Sequence, residues 1–153
     1  MRAIAAAAVA LALAGCLPAS PLPPVSEAAS LDPITFFAGA SESHGQLATV
    51  TGKRQTVRVT SMGTRNPDGS LTLAQHIETQ GEVARDRSWV IRPLGQGRYT
   101  GSLTEAVGPV EATVAGNAMS IRYRTKDYRV RQSLVLGRDG TIHNRLDILK
   151  WGL

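Results

Sequence analysis

From Asn66 onward the chain is cut at short intervals by turn signals: Asn66-Pro67-Asp68-Gly69, Gly95-Gln96-Gly97, Gly116-Asn117, Lys126-Asp127 and Arg138-Asp139-Gly140. Apolar and polar residues alternate from about Gln46 to the end, the pattern of half-buried strands. Hairpin loops also set register, and a slip of one residue reverses every facing. The turns can therefore be tested against one another.

With Gly116-Asn117 as a two-residue loop, Val114 faces Met119, Ala112 faces Ile121 and Val110 faces Tyr123, while Glu111 meets Arg122 on the opposite face. Lys126-Asp127 sets Tyr123 against Val130, Arg124 against Arg129 and Arg122 against Arg131. Arg138-Asp139-Gly140, as a three-residue loop ending in a left-handed glycine, pairs Leu136 with Ile142 and Arg131 with Asp147. Gly95-Gln96-Gly97 read the same way pairs Ile91 with Gly101, Trp89 with Leu103 and Arg87 with Glu105. Asn66-Pro67-Asp68-Gly69 joins Val57 and Val59 to Leu71, Leu73 and Ile77, with proline where its fixed dihedral suits a turn. These loops agree on a single apolar face. The expectation is an all-β antiparallel meander of about eight or nine short strands, rolled into an up-and-down barrel; a β-sandwich is the alternative. Ahead of it, Leu31-Asp32-Pro33-Ile34-Thr35-Phe36-Phe37 predicts one helical turn, with Asp32 as N-cap and Pro33 in the first helical position. Phe36 and Phe37, the only phenylalanines, are expected to plug the core.

The N-terminus has a different pattern. Arg2 precedes an alanine-rich apolar run, Ala3 to Ala14, too short to span a bilayer. Leu13-Ala14-Gly15-Cys16 resembles the bacterial lipobox and contains the only cysteine. Residues 1–15 are thus expected to be a lipoprotein signal peptide, and Cys16 the acylated residue. Two or more acyl chains anchor a protein stably. Leu17, in place of an aspartate, is compatible with the outer membrane. Residues 16–30 hold the acylated cysteine and a proline-rich tether, and 31–153 form the folded domain. As extended polyproline, the tether would reach up to ~40 Å.

Several pieces resemble an uncharacterised family of Gram-negative envelope lipoproteins, the DUF3833 type. They are Phe36-Phe37, Gly45, Arg87 with Trp89, Gly97 with Tyr99 and Gly101, Val107-Gly108 and Gly116-Asn117-Ala118. Arg122-Tyr123, Asn144-Arg145 and the closing Lys150-Trp151-Gly152 complete the set. The resemblance implies a calycin-like, lipocalin-type barrel and brings no established activity. Two departures bear on closure: the hairpin at Lys126-Asp127 is shorter than the family pattern, and the chain stops at Leu153 where the pattern continues into a further strand.

Little catalytic chemistry is visible. His44, His76 and His143 have no metal-ligand spacing and read as surface residues. No nucleophile elbow or phosphate loop is present. The expectation is therefore a non-enzyme with no cofactor or metal. Two sets of residues remain. Trp89, Tyr99, Tyr123, Tyr128, Gln75, Gln132 and Asn144 are assigned inward as candidate ligand-binding groups, because polar groups within an apolar cup orient a ligand. Arg122, Arg124, Arg129 and Arg131 form an outward basic patch, with Glu111 and Asp147 placed to counter part of it. The net charge of +5 and pI near 10.0 favour anionic partners such as acidic lipid or lipopolysaccharide; the export signal argues against nucleic acid. The expectation is an outer-membrane-anchored lipoprotein binding a small apolar or amphipathic ligand. The alternative is a structural or interaction lipoprotein with a solid barrel and a basic docking face.

Overall fold

The computed structural model describes residues 21–48 and 51–150. The signal segment, Cys16 and the closing Trp151-Gly152 lie outside the described residues. One helical turn, α1 (Pro33–Phe36), precedes nine strands: β1 (Gly39–Ala48), β2 (Arg54–Arg65), β3 (Leu71–Thr79), β4 (Arg85–Gly95), β5 (Arg98–Leu103), β6 (Val110–Ala115), β7 (Ala118–Arg124), β8 (Tyr128–Leu136) and β9 (Ile142–Lys150). The sheet order is the sequence order, and every neighbouring pair is antiparallel. The sheet curls into a half-barrel rather than a closed barrel, and the sandwich alternative does not form. Among the described residues β1 and β9 are its two edges.

The turn-derived register is the observed one. Glu111 opposes Arg122 and Val114 opposes Met119. Tyr123 opposes Val130 and Arg122 opposes Arg131. Leu136 opposes Ile142 and Arg131 opposes Asp147. One loop differs in detail. Gln96 and Gly97 alone connect β4 to β5, and an irregularity between Pro93 and Gly95 absorbs the extra residue. The pairing of Ile91 with Gly101 and of Trp89 with Leu103 is unaffected. Gln96, the only non-glycine residue at positive φ among those described, sits between Gly95 and Gly97, which share that conformation.

β1 begins at Gly39, ahead of the visible alternation. Its residues Gly39-Ala-Ser-Glu-Ser-His-Gly45 carry no apolar rhythm, and all of β1 is exposed. Pairing with β2 from Gly39–Gly63 to Ala48–Arg54 supplies what local sequence does not.

One end of the half-barrel is plugged. Asp32 accepts hydrogen bonds from the Ile34 amide (3.1 Å) and the Thr35 hydroxyl (2.6 Å), capping α1 as its sequence predicts. Leu31 is buried in the core, with Ile34, Phe36 and Phe37 packed against it. Phe36 and Phe37 meet edge to face at 5.0 Å. The chain leaving α1 crosses β2 so closely that a Cβ on Gly63 would lie 1.8 Å from the Phe37 carbonyl oxygen; only glycine fits.

The proline-rich stretch joins this end. Asn117 accepts a hydrogen bond from the Ser26 amide (2.7 Å) and donates to the carbonyls of Pro24 (3.2 Å) and Leu136 (2.9 Å). Its backbone N–H donates to Ser26, and Leu31 donates to Gly116. The part of the tether from Pro24 onward is therefore docked, which shortens the reach expected from residues 17–30.

Candidate functional site

Alternation along the strands sorts side chains onto a concave and a convex face. The concave core runs from Leu71, Leu73, Trp89, Ile91 and Leu103 through Val110, Ala112, Met119 and Ile121 to Tyr123, Val130 and Leu134. Near the plug this core is almost filled. The void beside Trp89, Ile91, Tyr99, Ala112 and Met119 measures about 20 Å³. An enclosed drug-sized ligand needs roughly 300 Å³ or more.

Toward the opposite, open end the concave face becomes polar. Gln75 is the hub: its Oε1 accepts from Arg87 Nε and from the Trp89 indole, each at 2.8 Å, and its Nε2 donates to Ser61 Oγ at 3.1 Å. Arg87 reaches Glu105 at 3.2 Å, the ion pair expected from the Gly95-Gln96-Gly97 loop, and Arg85 approaches the same carboxylate at 3.6 Å. Two guanidinium groups thus share one acid. The Arg87 guanidinium lies 5.2 Å from the Trp89 ring centre, and Trp89 meets Tyr123 edge to face at 5.6 Å. Burial pushes the Tyr123 hydroxyl pKa upward, while the nearby Arg87 charge acts in the opposite direction.

The candidate residues therefore occupy three environments. Gln75, Trp89 and Tyr123 form one connected group with Arg87 and Glu105. Tyr99 lines the small void near the plug. Tyr128, Gln132 and Asn144 lie across the concave face on β8 and β9. Gln132 is 7% exposed, and its Oε1 has no hydrogen-bond partner among the described residues. No hydrogen bond joins Gln132 to Asn144: Asn144 opposes Leu134 and is exposed on β9, the edge strand among the described residues. Sequence reading passed over the neighbours of Gln132. Inward-facing Leu146 and Ile148 on β9 are 39% and 47% exposed, and Leu47 on the other edge is 37% exposed. Alternation gave their facing, but their exposure follows from the open edges.

The convex face is mostly solvated. His76 lies 2.6 Å from Asp86 and His44 lies 2.6 Å from Glu42, all well exposed. A wide groove of about 540 Å³ crosses β2–β4 past Thr60, Met62, Ala74, His76, Asp86 and Ser88. It is open to solvent and lined chiefly by convex-face positions, so it is not the interior of the half-barrel. The arginines lie as their register requires, Arg122 opposite Arg131 and Arg124 opposite Arg129. The expected counter-ions are not engaged: Asp147 pairs with Arg145 on its own strand at 3.6 Å, and Glu111, Arg122 and Arg131 close no ion pair among the described residues. No group of three or more His, Cys, Asp or Glu among the described residues is placed to hold a metal.

Fold and site together define an open antiparallel β half-barrel, plugged by a helical turn at one end and polar within at the other. The chain belongs to the family described as Protein of unknown function (DUF3833), which it matches over residues 10–153. No curated protein and no solved structure matches it.

Proposed function

We propose that this is a non-enzymatic lipoprotein of the outer membrane, acylated at Cys16, whose half-barrel holds an amphipathic ligand lengthwise in its open trough. The lipobox-like Leu13-Ala14-Gly15-Cys16 supports the anchor. The observation carrying the ligand reading is the edge of the concave face: Leu146 and Ile148 stay exposed beside the buried, unpartnered Oε1 of Gln132. An apolar wall with a polar group awaiting a partner suits a chain-like ligand. Arg85 and Arg87 share Glu105, which leaves one cation in excess and suits an anionic head, carboxylate or phosphate. The 20 Å³ void argues for a ligand lying in the trough rather than enclosed near the plug.

That same filled core supports a second reading, a structural lipoprotein with no ligand. A fluorescent fatty-acid titration of the parent protein and Ile148→Asp separates the two. Ile148 is half exposed, so the variant should keep its melting temperature and weaken probe binding by at least about tenfold. Absence of probe binding by the parent protein would favour the structural reading. The anchor is tested by intact mass, which should give a mature chain starting at an acylated Cys16; an unmodified N-terminus downstream of it would refute the anchor.

A further inference from the structure

On the convex face of β7–β9 the open end carries an unusual row. Arg124 opposes Arg129, and Arg129 opposes Leu149. At the other end of the row the Val107 amide donates to the Arg124 carbonyl at 2.7 Å. Val107 is 59% exposed and Leu149 68% exposed. The Arg124–Arg129 pair thus adjoins the exposed Leu149 on the same face, and the exposed loop residue Val107 is tied to it through the backbone. The next row repeats the charge, with Arg122 opposite Arg131 and no ion pair on either among the described residues. Like charges placed directly across a strand pair are unfavourable without a counter-charge. The hairpin tip adds Lys126.

We infer that this flank of β7–β9 docks flat on an anionic membrane surface. The arginines meet lipid phosphates, and Leu149 enters the boundary between headgroups and acyl chains. Cations near such a surface each contribute about fivefold in affinity, and apolar side chains add what a soluble polyanion cannot reward. The position of the tether fits the same orientation. Pro24 and Ser26 are held by Asn117 at the plugged ends of β7 and β8, the strands that carry the arginines. From Cys16 to Pro24 the chain can span at most about 28 Å, while β8 is about 30 Å long. A surface lying along β7 and β8 is therefore within reach of an anchor at Cys16. This inference rests on the Cys16 anchor of the proposed function, which intact mass tests separately, and does not need the ligand reading.

The test uses the full acylated protein reconstituted into vesicles, where Cys16 carries the anchor and an introduced cysteine takes the label. An environment-sensitive fluorophore is placed at Leu149→Cys, and at Met62→Cys as an exposed control on the convex face of β2. Brominated lipid should quench the probe at 149 strongly and that at 62 weakly in vesicles containing anionic lipid. Quenching at 149 should fall at least about tenfold in neutral vesicles, in half-molar salt, or in the Arg122→Glu/Arg131→Glu variant. Equal quenching at both positions, or quenching at 149 that survives the charge reversal, would overturn the inference. These readouts involve no trough ligand, so failure here is distinct from failure of the ligand reading.

Discussion

The plugged and open ends of the half-barrel are made from the same strands yet are built in opposite ways. At the plugged end polar groups find partners within the protein. Asn117 serves three backbone groups, Asp32 caps α1, and Asp68 binds Ser70 and Arg92. Acids and bases are balanced there, Glu27, Asp32, Asp68 and Asp139 against Arg65, Arg92, Arg98 and Arg138. At the open end bases outnumber acids, Lys53, Arg54, Arg85, Lys126 and Lys150 against Glu82, Glu105 and Asp127. Exposed apolar residues also stand on its loops: Val83 is 91% exposed. One end commits most of its polar groups to the fold; the other combines an excess of bases with exposed apolar side chains.

The comparison is most severely tested at the core wall. Trp89 is 5% exposed and joins the filled region to the Gln75 hub, so Trp89→Ala should cost about 3–5 kcal/mol in chemical denaturation. A loss below about 1 kcal/mol would mean that the core is looser than a 20 Å³ void implies. Asn117→Ala comes next. It removes the partner of three part-buried backbone groups, should cost about 1–3 kcal/mol in all, and should free the Ser26 amide to exchange rapidly with solvent. Unchanged protection of Ser26 would show that the plugged end does not depend on this side chain.

Gln132→Leu should behave differently. Removing an unpartnered buried oxygen leaves stability unchanged or raises it by up to about 1 kcal/mol, while fatty-acid probe affinity falls. Destabilisation above about 1 kcal/mol would assign Gln132 to the folding end of the contrast instead. The smallest effect is a titration. Bonds from the Ser70 hydroxyl and amide, and then from Arg92, lower the Asp68 pKa to about 2. A carboxyl depressed in the fold stabilises it above the unfolded pKa, near 3.9, and loses that contribution as pH falls through about 2. Stability should therefore decline between roughly pH 4 and pH 2, and Asp68→Asn should flatten that part of the curve. A midpoint for Asp68 near 4 by NMR would contradict the bonded turn.

Turn chemistry and alternation together determined the antiparallel meander and the facings of its strands after β1. Gly116-Asn117 and Arg138-Asp139-Gly140 permit few loop geometries, and a period of two leaves no intermediate register. The α1 cap was equally local, since Asp32 acts on residues two and three positions away. What lay beyond the sequence was set by partners distant along the chain. β1 has no pattern of its own until β2 pairs with it. Asn117 could be read as a turn residue, but not as the clasp for Ser26, which is 91 positions away. Whether Leu146 and Ile148 are core or trough depends on whether β9 acquires a neighbour, and only the curvature of the sheet decides that. Local dihedral preferences and side-chain alternation are encoded residue by residue; closure, burial and the orphaning of a polar atom depend on what the rest of the sheet brings beside it.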